Sequence, residues 1–189
     1  MTRTHGPVRI LGLSVAAVLA CAAAGPAAES QGEHARISLE KAKAQIELAL
    51  KQAELSLAPH QPGSGWTRQH MQRVLNVIEG RRGPDFRETV EDPGDGYGAV
   101  WHLRDALDAL PGGLSTDAGT ALDHALAYLN DAAEHARRSL KGTSVAQVHR
   151  EAGLAAGMLA AALGREGSSA PAIGALTYGL NALGQAPAK

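Results

Sequence analysis

Apolar residues recur at helical spacing in one segment after another, and no segment shows a convincing alternation of period two. Leu122, Leu126, Leu129, Ala133 and Leu140 fall on one stripe, as do Met71, Val74, Leu75 and Ile78. A chain patterned at 3.6 residues buries one side of each helix but offers no sheet face. Composition agrees. Roughly one residue in five is Ala, far above ordinary usage. Only 3% of residues are aromatic, and a chain rich in Ala and Leu but poor in aromatic and β-branched residues disfavours a large sheet. The expected fold is all-α, an up-and-down bundle of about six helices forming one domain over residues 34–184. With 189 residues the chain is long enough to enclose a core.

The helix boundaries follow from caps and breakers. Ser30 with Glu33 fits a capping box that opens a first helix, running to about Leu57 ahead of Pro59 and Pro62. That helix carries two apolar seams, Leu39/Ile46/Leu50/Leu57 and Ile37/Ala44/Leu48/Leu55, so it calls for cover on two sides. It is either the central helix or part of an oligomer contact. A second helix spans about Thr67 to Glu79 with Gly80 as its stop, and a third runs from about Ala99 to Leu110 before Pro111. The fourth covers about Asp117 to Leu140. Ser144 with Gln147 caps a fifth that ends near Leu163, and Pro171 opens a sixth with Ile173, Leu176, Leu180 and Leu183 as its stripe. In the fifth, Gly153, Gly157 and Ala161 leave one face nearly bare, a pattern that suits close helix approach. Its apolar run of 12 residues, Ala152 to Leu163, is too short to cross a membrane.

The first 24 residues read as an export signal. Arg3 and Arg9 supply a positive start, and Ile10 to Ala24 runs without a charge. Such a run makes roughly 22 Å of helix against a hydrocarbon core of about 30 Å, short for a membrane span and suited to a signal peptide. Val18-Leu19-Ala20-Cys21 resembles the lipobox of bacterial lipoproteins, although that family prefers Leu one position earlier and a small residue at the place of Leu19. The resemblance implies acylation of Cys21; ordinary cleavage after Ala22-Ala23-Ala24 is the alternative. Either way the mature chain keeps no thiol, as suits an oxidising periplasm or outer envelope. Residues 25–33 are small and polar and read as a tether. Removing Arg3 and Arg9 leaves 16 basic against 19 acidic residues, a charge of −3. No polybasic patch remains, so membrane attachment would depend on lipid.

Several functions are excluded on chemistry. One Cys permits neither a disulfide framework nor a zinc site built from several thiolates. With no basic excess there is no footprint for nucleic acid. No Gly-x-Ser-x-Gly elbow, phosphate loop or His-Glu-x-x-His string is present, which points away from an enzyme. Histidine is the one chemical type worth pursuing, with seven of the eight beyond the signal. Asp131 and His135 stand at i, i+4 and can converge on one ion, with His124 and Tyr128 along the same stripe. A neighbouring helix can add His70 or His102, and His102 has Asp105 one turn along. The alternative is a set of solvated histidines beside carboxylates.

Glu91 to Gly98 is the most distinctive string. Its Pro-Gly and Asp-Gly pairs are turn formers, and it fails the EF-hand spacing in both registers that start from an aspartate. It reads as a turn capping the third helix, with Ca²⁺ binding and a partner-binding loop at Asp92, Asp95 and Tyr97 as alternatives; a structureless segment as long as Gly80 to Gly98 favours some function. His70-x5-Asn76-x2-Glu79-Gly80, followed by Gly83-Pro84-Asp85-Phe86 and Asp92-Pro93-Gly94-Asp95-Gly96, resembles a pattern in exported bacterial His-bearing helical-bundle proteins of unknown function. More loosely the chain is similar to the bacterial small metal-binding proteins, which are far richer in His. That resemblance implies metal binding in the envelope. The expected function is thus a non-enzymatic envelope binding protein, holding a divalent Cu, Ni or Zn ion through His70, His102, His124, Asp131 and His135. A structural or protein-interaction module, as a homo-oligomer or with an envelope partner and without metal, is the alternative.

Overall fold

The computed structural model describes residues 26–59, 63–110, 116–164 and 175–184; the export segment, Cys21, Pro171 and Ile173 lie outside them. Among the described residues there are six helices and no strand. They are α1 (Pro26–Ser56), α2 (Ser64–Glu79), α3 (Ala99–Asp108), α4 (Thr116–Lys141), α5 (Val145–Leu163) and α6 (Ala175–Gly184). None is long and apolar enough to cross a membrane. Helical period and scarce β-formers thus carry through to an all-helical bundle.

The stretch expected to be a tether is helical instead. α1 begins at Pro26, whose fixed φ suits the first helical position. Ser30 and Glu33 consequently lie inside the helix, and the Glu33 carboxylate bonds Arg36 rather than capping a terminus. The Ser144 cap forms as expected: its hydroxyl accepts from the Gln147 backbone N–H at 3.2 Å.

Ala35, Leu39, Ala42, Ile46, Ala49 and Ala53 make the buried stripe of α1, packed with α2, α3, α5 and α6. The second seam is covered only at Leu48, which is half-buried against the core. Of the second seam, Ile37 and Leu55 stay exposed, as does Leu57 from the first. Between the seams runs a polar row at heptad spacing, Ser38, Gln45 and Gln52. Each reaches a different neighbour: Asp105 of α3, the backbone N–H of Asp95, and His70 of α2.

The core is built of Leu and Ala. Leu75, Leu103, Leu122, Leu129 and Leu159 are fully buried, each such side chain contributing about 1.5–3 kcal/mol through area removed from water. α4 and α5 make the most extensive pairing. Alanines 121, 125, 132, 136, 152, 155 and 162 are buried and keep helix surfaces thin. The expected close approach over Gly153 and Gly157 does not occur, because a Cβ on either would meet nothing within 4 Å. α5 turns its other side inward, and the reason is area: burying Val148, Leu159 and Ala152 removes far more apolar surface than burying a glycine stripe. Close approach falls at Gly179 of α6, where a Cβ would stand 2.5 Å from Leu122.

Candidate functional cleft

Residues 80–98 connect α2 to α3 without regular structure, and the side chains of α2 hold them in place. Asn76 is fully buried. Its Oδ1 accepts from the Arg87 N–H, and its Nδ2 donates to the carbonyls of Arg87 and Val90. Gln72 donates to the Asp85 carbonyl at 2.7 Å and to Asn76. Glu79 accepts from the Asp85 N–H, and the Arg137 guanidinium of α4 binds both carboxylates. Burial pushes the Glu79 carboxyl above its ordinary range, with the Asp85 N–H and Arg137 pulling the other way.

The loop closes where its backbone crosses the end of α2. Gly80 and Gly98 both have positive φ, 69° and 91°. A Cβ on Gly80 would stand 2.1 Å from the Tyr97 carbonyl oxygen, and one on Gly98 2.5 Å from the Gly80 nitrogen. Only glycine meets both demands. Arg81 N–H donates to the Gly96 carbonyl at 2.9 Å and completes the crossing.

Asp95 turns the chain into α3. Its Oδ1 accepts from the Tyr97 and Gly98 N–H groups, and its Oδ2 lies 2.6 Å from His102 Nε2. Burial opposes the charge on Asp95, yet the bonds from His102, Tyr97 and Gly98 outweigh it and hold the carboxyl below its ordinary range. An ionised carboxylate only accepts, so His102 carries its proton on Nε2. Its Nδ1 is buried without a partner. A turn gathered on Asp95 does precede α3, but its carboxylate bonds the N–H groups of Tyr97 and Gly98 and makes no side-chain cap bond to the helix.

Against this frame lies a half-open cleft of about 640 Å³. Ile78, Val100 and Ala133 give its apolar lining, and Glu79 and Asp95 its two carboxylates. Arg81, Arg82, Arg104 and Arg137 supply four guanidinium groups. Tyr97 and Trp101 complete it, 55% and 41% exposed, with ring centroids 5.0 Å apart and planes tilted by 37°. The Trp101 indole meets His102 edge-on at 5.1 Å.

The five residues expected to ligate metal do not gather. Among the described residues no group of three or more His, Cys, Asp or Glu side chains is placed to hold an ion. His70 is 2% exposed and directs Nδ1 to Gln52 Oε1 at 2.8 Å, with its ring 4.3 Å from Trp66. Burial, and then the Arg73 charge, lower its pKa. His102 is paired with Asp95, while Asp105 serves His34 at 3.0 Å and Ser38 at 2.5 Å. His135 pairs across helices with Glu151 at 2.9 Å instead of with Asp131. His124 and Asp131 are exposed on α4. The i, i+4 spacing set Asp131 and His135 on one helix face, but α5 packs there with a carboxylate of its own, and a nearer buried partner takes the histidine.

Of the loop residues singled out, Asp95 and Tyr97 line the cleft. Asp92 does not: its Oδ1 accepts from the Gly94 N–H in a local turn. Missed altogether were Arg81, Arg82, Trp101, Arg104 and Arg137. Arg81-Arg82 between two glycines, and Trp101 three residues before Arg104, were the signals available.

No protein-family model matches the chain, and no curated protein or solved structure matches it.

Proposed function

We propose that this protein is an exported, non-enzymatic binding protein of the bacterial cell envelope whose ligand seat is the cleft between the 80–98 loop, α3 and α4. One observation carries the reading. The loop is pinned from below by Asn76, Gln72, Glu79 and Asp95, yet Tyr97 and Trp101 are left exposed at the cavity. A concave site with a few polar groups on a preformed frame is the usual form of a small-molecule seat, and an exposed aromatic pair, Tyr97 on the pinned loop and Trp101 on α3, favours recognition over solubility. Nothing in the cleft pairs a nucleophile with a base, so binding rather than turnover is the expected activity. His70, His102 and His135 are spent in pairwise bonds while His124 and Asp131 stand at the surface, and the metal reading draws no support from them.

The test is a thermal-shift screen of the mature chain with cations, anions, sugars and neutral aromatic compounds. Cu²⁺, Ni²⁺ and Zn²⁺ belong in the same screen. At least one organic compound is expected to raise Tm in the wild type and to lose that effect in Trp101→Ala. A screen whose stabilisers all act equally on Trp101→Ala would sink the proposal. Stabilisation by the transition metals alone would favour the histidine reading instead.

A further inference from the structure

We infer that the ligand of this cleft is a small organic anion, bearing a carboxylate or phosphate on a flat ring-containing body; this rests on the cleft being the ligand seat. The arginines carry the inference. Six of the ten arginines among the described residues are engaged: Arg36, Arg73, Arg137, Arg138 and Arg150 pair with carboxylates, and Arg68 bonds Ser64 Oγ and the Gly142 carbonyl. Four make no side-chain hydrogen bond or ion pair, namely Arg81, Arg82, Arg87 and Arg104. Three of those four line this one cleft. The Arg81 side chain is also positioned, since a Cβ on Gly96 would touch its Nε at 3.1 Å and its Cδ at 3.4 Å.

The acids do not cancel this charge. Glu79 is held by Arg137 and the Asp85 N–H. Asp95 is held by His102 and two backbone N–H groups. Arg137 is already matched by Glu79, Asp85 and Glu134, which leaves Arg81, Arg82 and Arg104 as three unpaired guanidinium groups in the cleft. An incoming anion thus gains charge-assisted, fork-shaped hydrogen bonds without displacing a protein acceptor, whereas a cation meets an opposing field. Tyr97 and Trp101 line the same cleft as those guanidinium groups, which suits a flat apolar body over a bare inorganic ion.

Calorimetric titration of the full mature chain with 1-naphthyl phosphate, 1-naphthoate, 1-naphthol and inorganic phosphate provides the test. Both aromatic anions are expected to bind at least about tenfold more tightly than 1-naphthol or inorganic phosphate, and less tightly as salt rises. Arg82→Gln/Arg104→Gln should weaken the anions by about tenfold or more and leave 1-naphthol unchanged. Both residues are exposed and unbonded, so Tm should hold; Arg81→Gln is an independent second variant. Equal binding of naphthol and the anions, lost in Trp101→Ala, would overturn the anion class while the cleft stood. Anion binding that ignores the arginine substitutions, or is absent at millimolar concentration, overturns the inference. Tighter binding of hexaglutamate than of either aromatic anion would assign the site to an acidic protein segment and overturn it too.

Discussion

A single buried amide, that of Asn76, makes four hydrogen bonds, three of them to loop backbone. Replacing it with Ala strands the Arg87 N–H and two carbonyls at a partly buried position. A buried donor or acceptor left unmade costs far more than the net worth of a typical bond. Asn76→Ala should therefore lose about 2–4 kcal/mol in denaturant unfolding, and the exposed neighbour substitution Arg87→Gln should lose almost nothing. His70, by contrast, stores a pH response. Its depressed pKa means the folded state holds fewer protons than the unfolded one, so stability is full above the ordinary histidine value and lost as pH falls below about 6.5 toward the folded value. His70→Gln, measured beside the wild type from pH 8 to 5, should show a flatter decline across that window. The letters His70, Asn76, Glu79 and Gly80 were legible in the sequence. Their work was not, because a sequence shows an amide but not the three backbone groups, eleven and fourteen residues away, that it satisfies.

At the scale of elements, α1 and α5 divide what period alone can and cannot settle. Period 3.6 places Leu39 and Ile46 of α1 in the core correctly, and it places Ile37 and Leu55 on a second seam where both stay at the surface and only Leu48 reaches the core. Which seam is covered depends on the polar row beside it: Ser38, Gln45 and Gln52 each meet a partner from another element, and burying them unpaired would have been costly. On α5 two small-residue faces competed, and the one carrying Val148 and Leu159 turned inward. The glycine face then does no packing. Gly157→Ala and Gly153→Ala are expected to stabilise the protein, each by about 0.5–1 kcal/mol, through helix propensity and reduced unfolded-state freedom. Gly179→Ala should do the reverse, since Leu122 occupies the space and must shift. Thermal unfolding of the three variants checks both signs. Destabilisation by Gly157→Ala would show that a neighbour covers that face in solution.

For the whole molecule, one irregular connection lies against α1, α2 and α4, and the candidate site arises there. The sequence by itself determined helicity, the approximate ends of α2 to α5, the Leu and Ala core and the long irregular α2–α3 connection. These are local matters: each depends on spacing, caps and breakers within a few residues of one another. Only the tertiary structure decided which histidines meet which carboxylates, which α1 seam is buried, that the expected tether is helix, and that Arg81, Arg104 and Trp101 share a cleft. Those outcomes turn on contacts between elements far apart in the chain, Asp95 with Gln45 or Arg137 with Glu79. There a side chain's partner is set by how helices pack rather than by its neighbours in sequence. Scattered histidines looked like ligands because type and spacing are all a sequence displays. The fold spends His70 and His102 as buried hydrogen-bonding groups, keeps His124 at the surface, and leaves three of the unbonded arginines in one cleft.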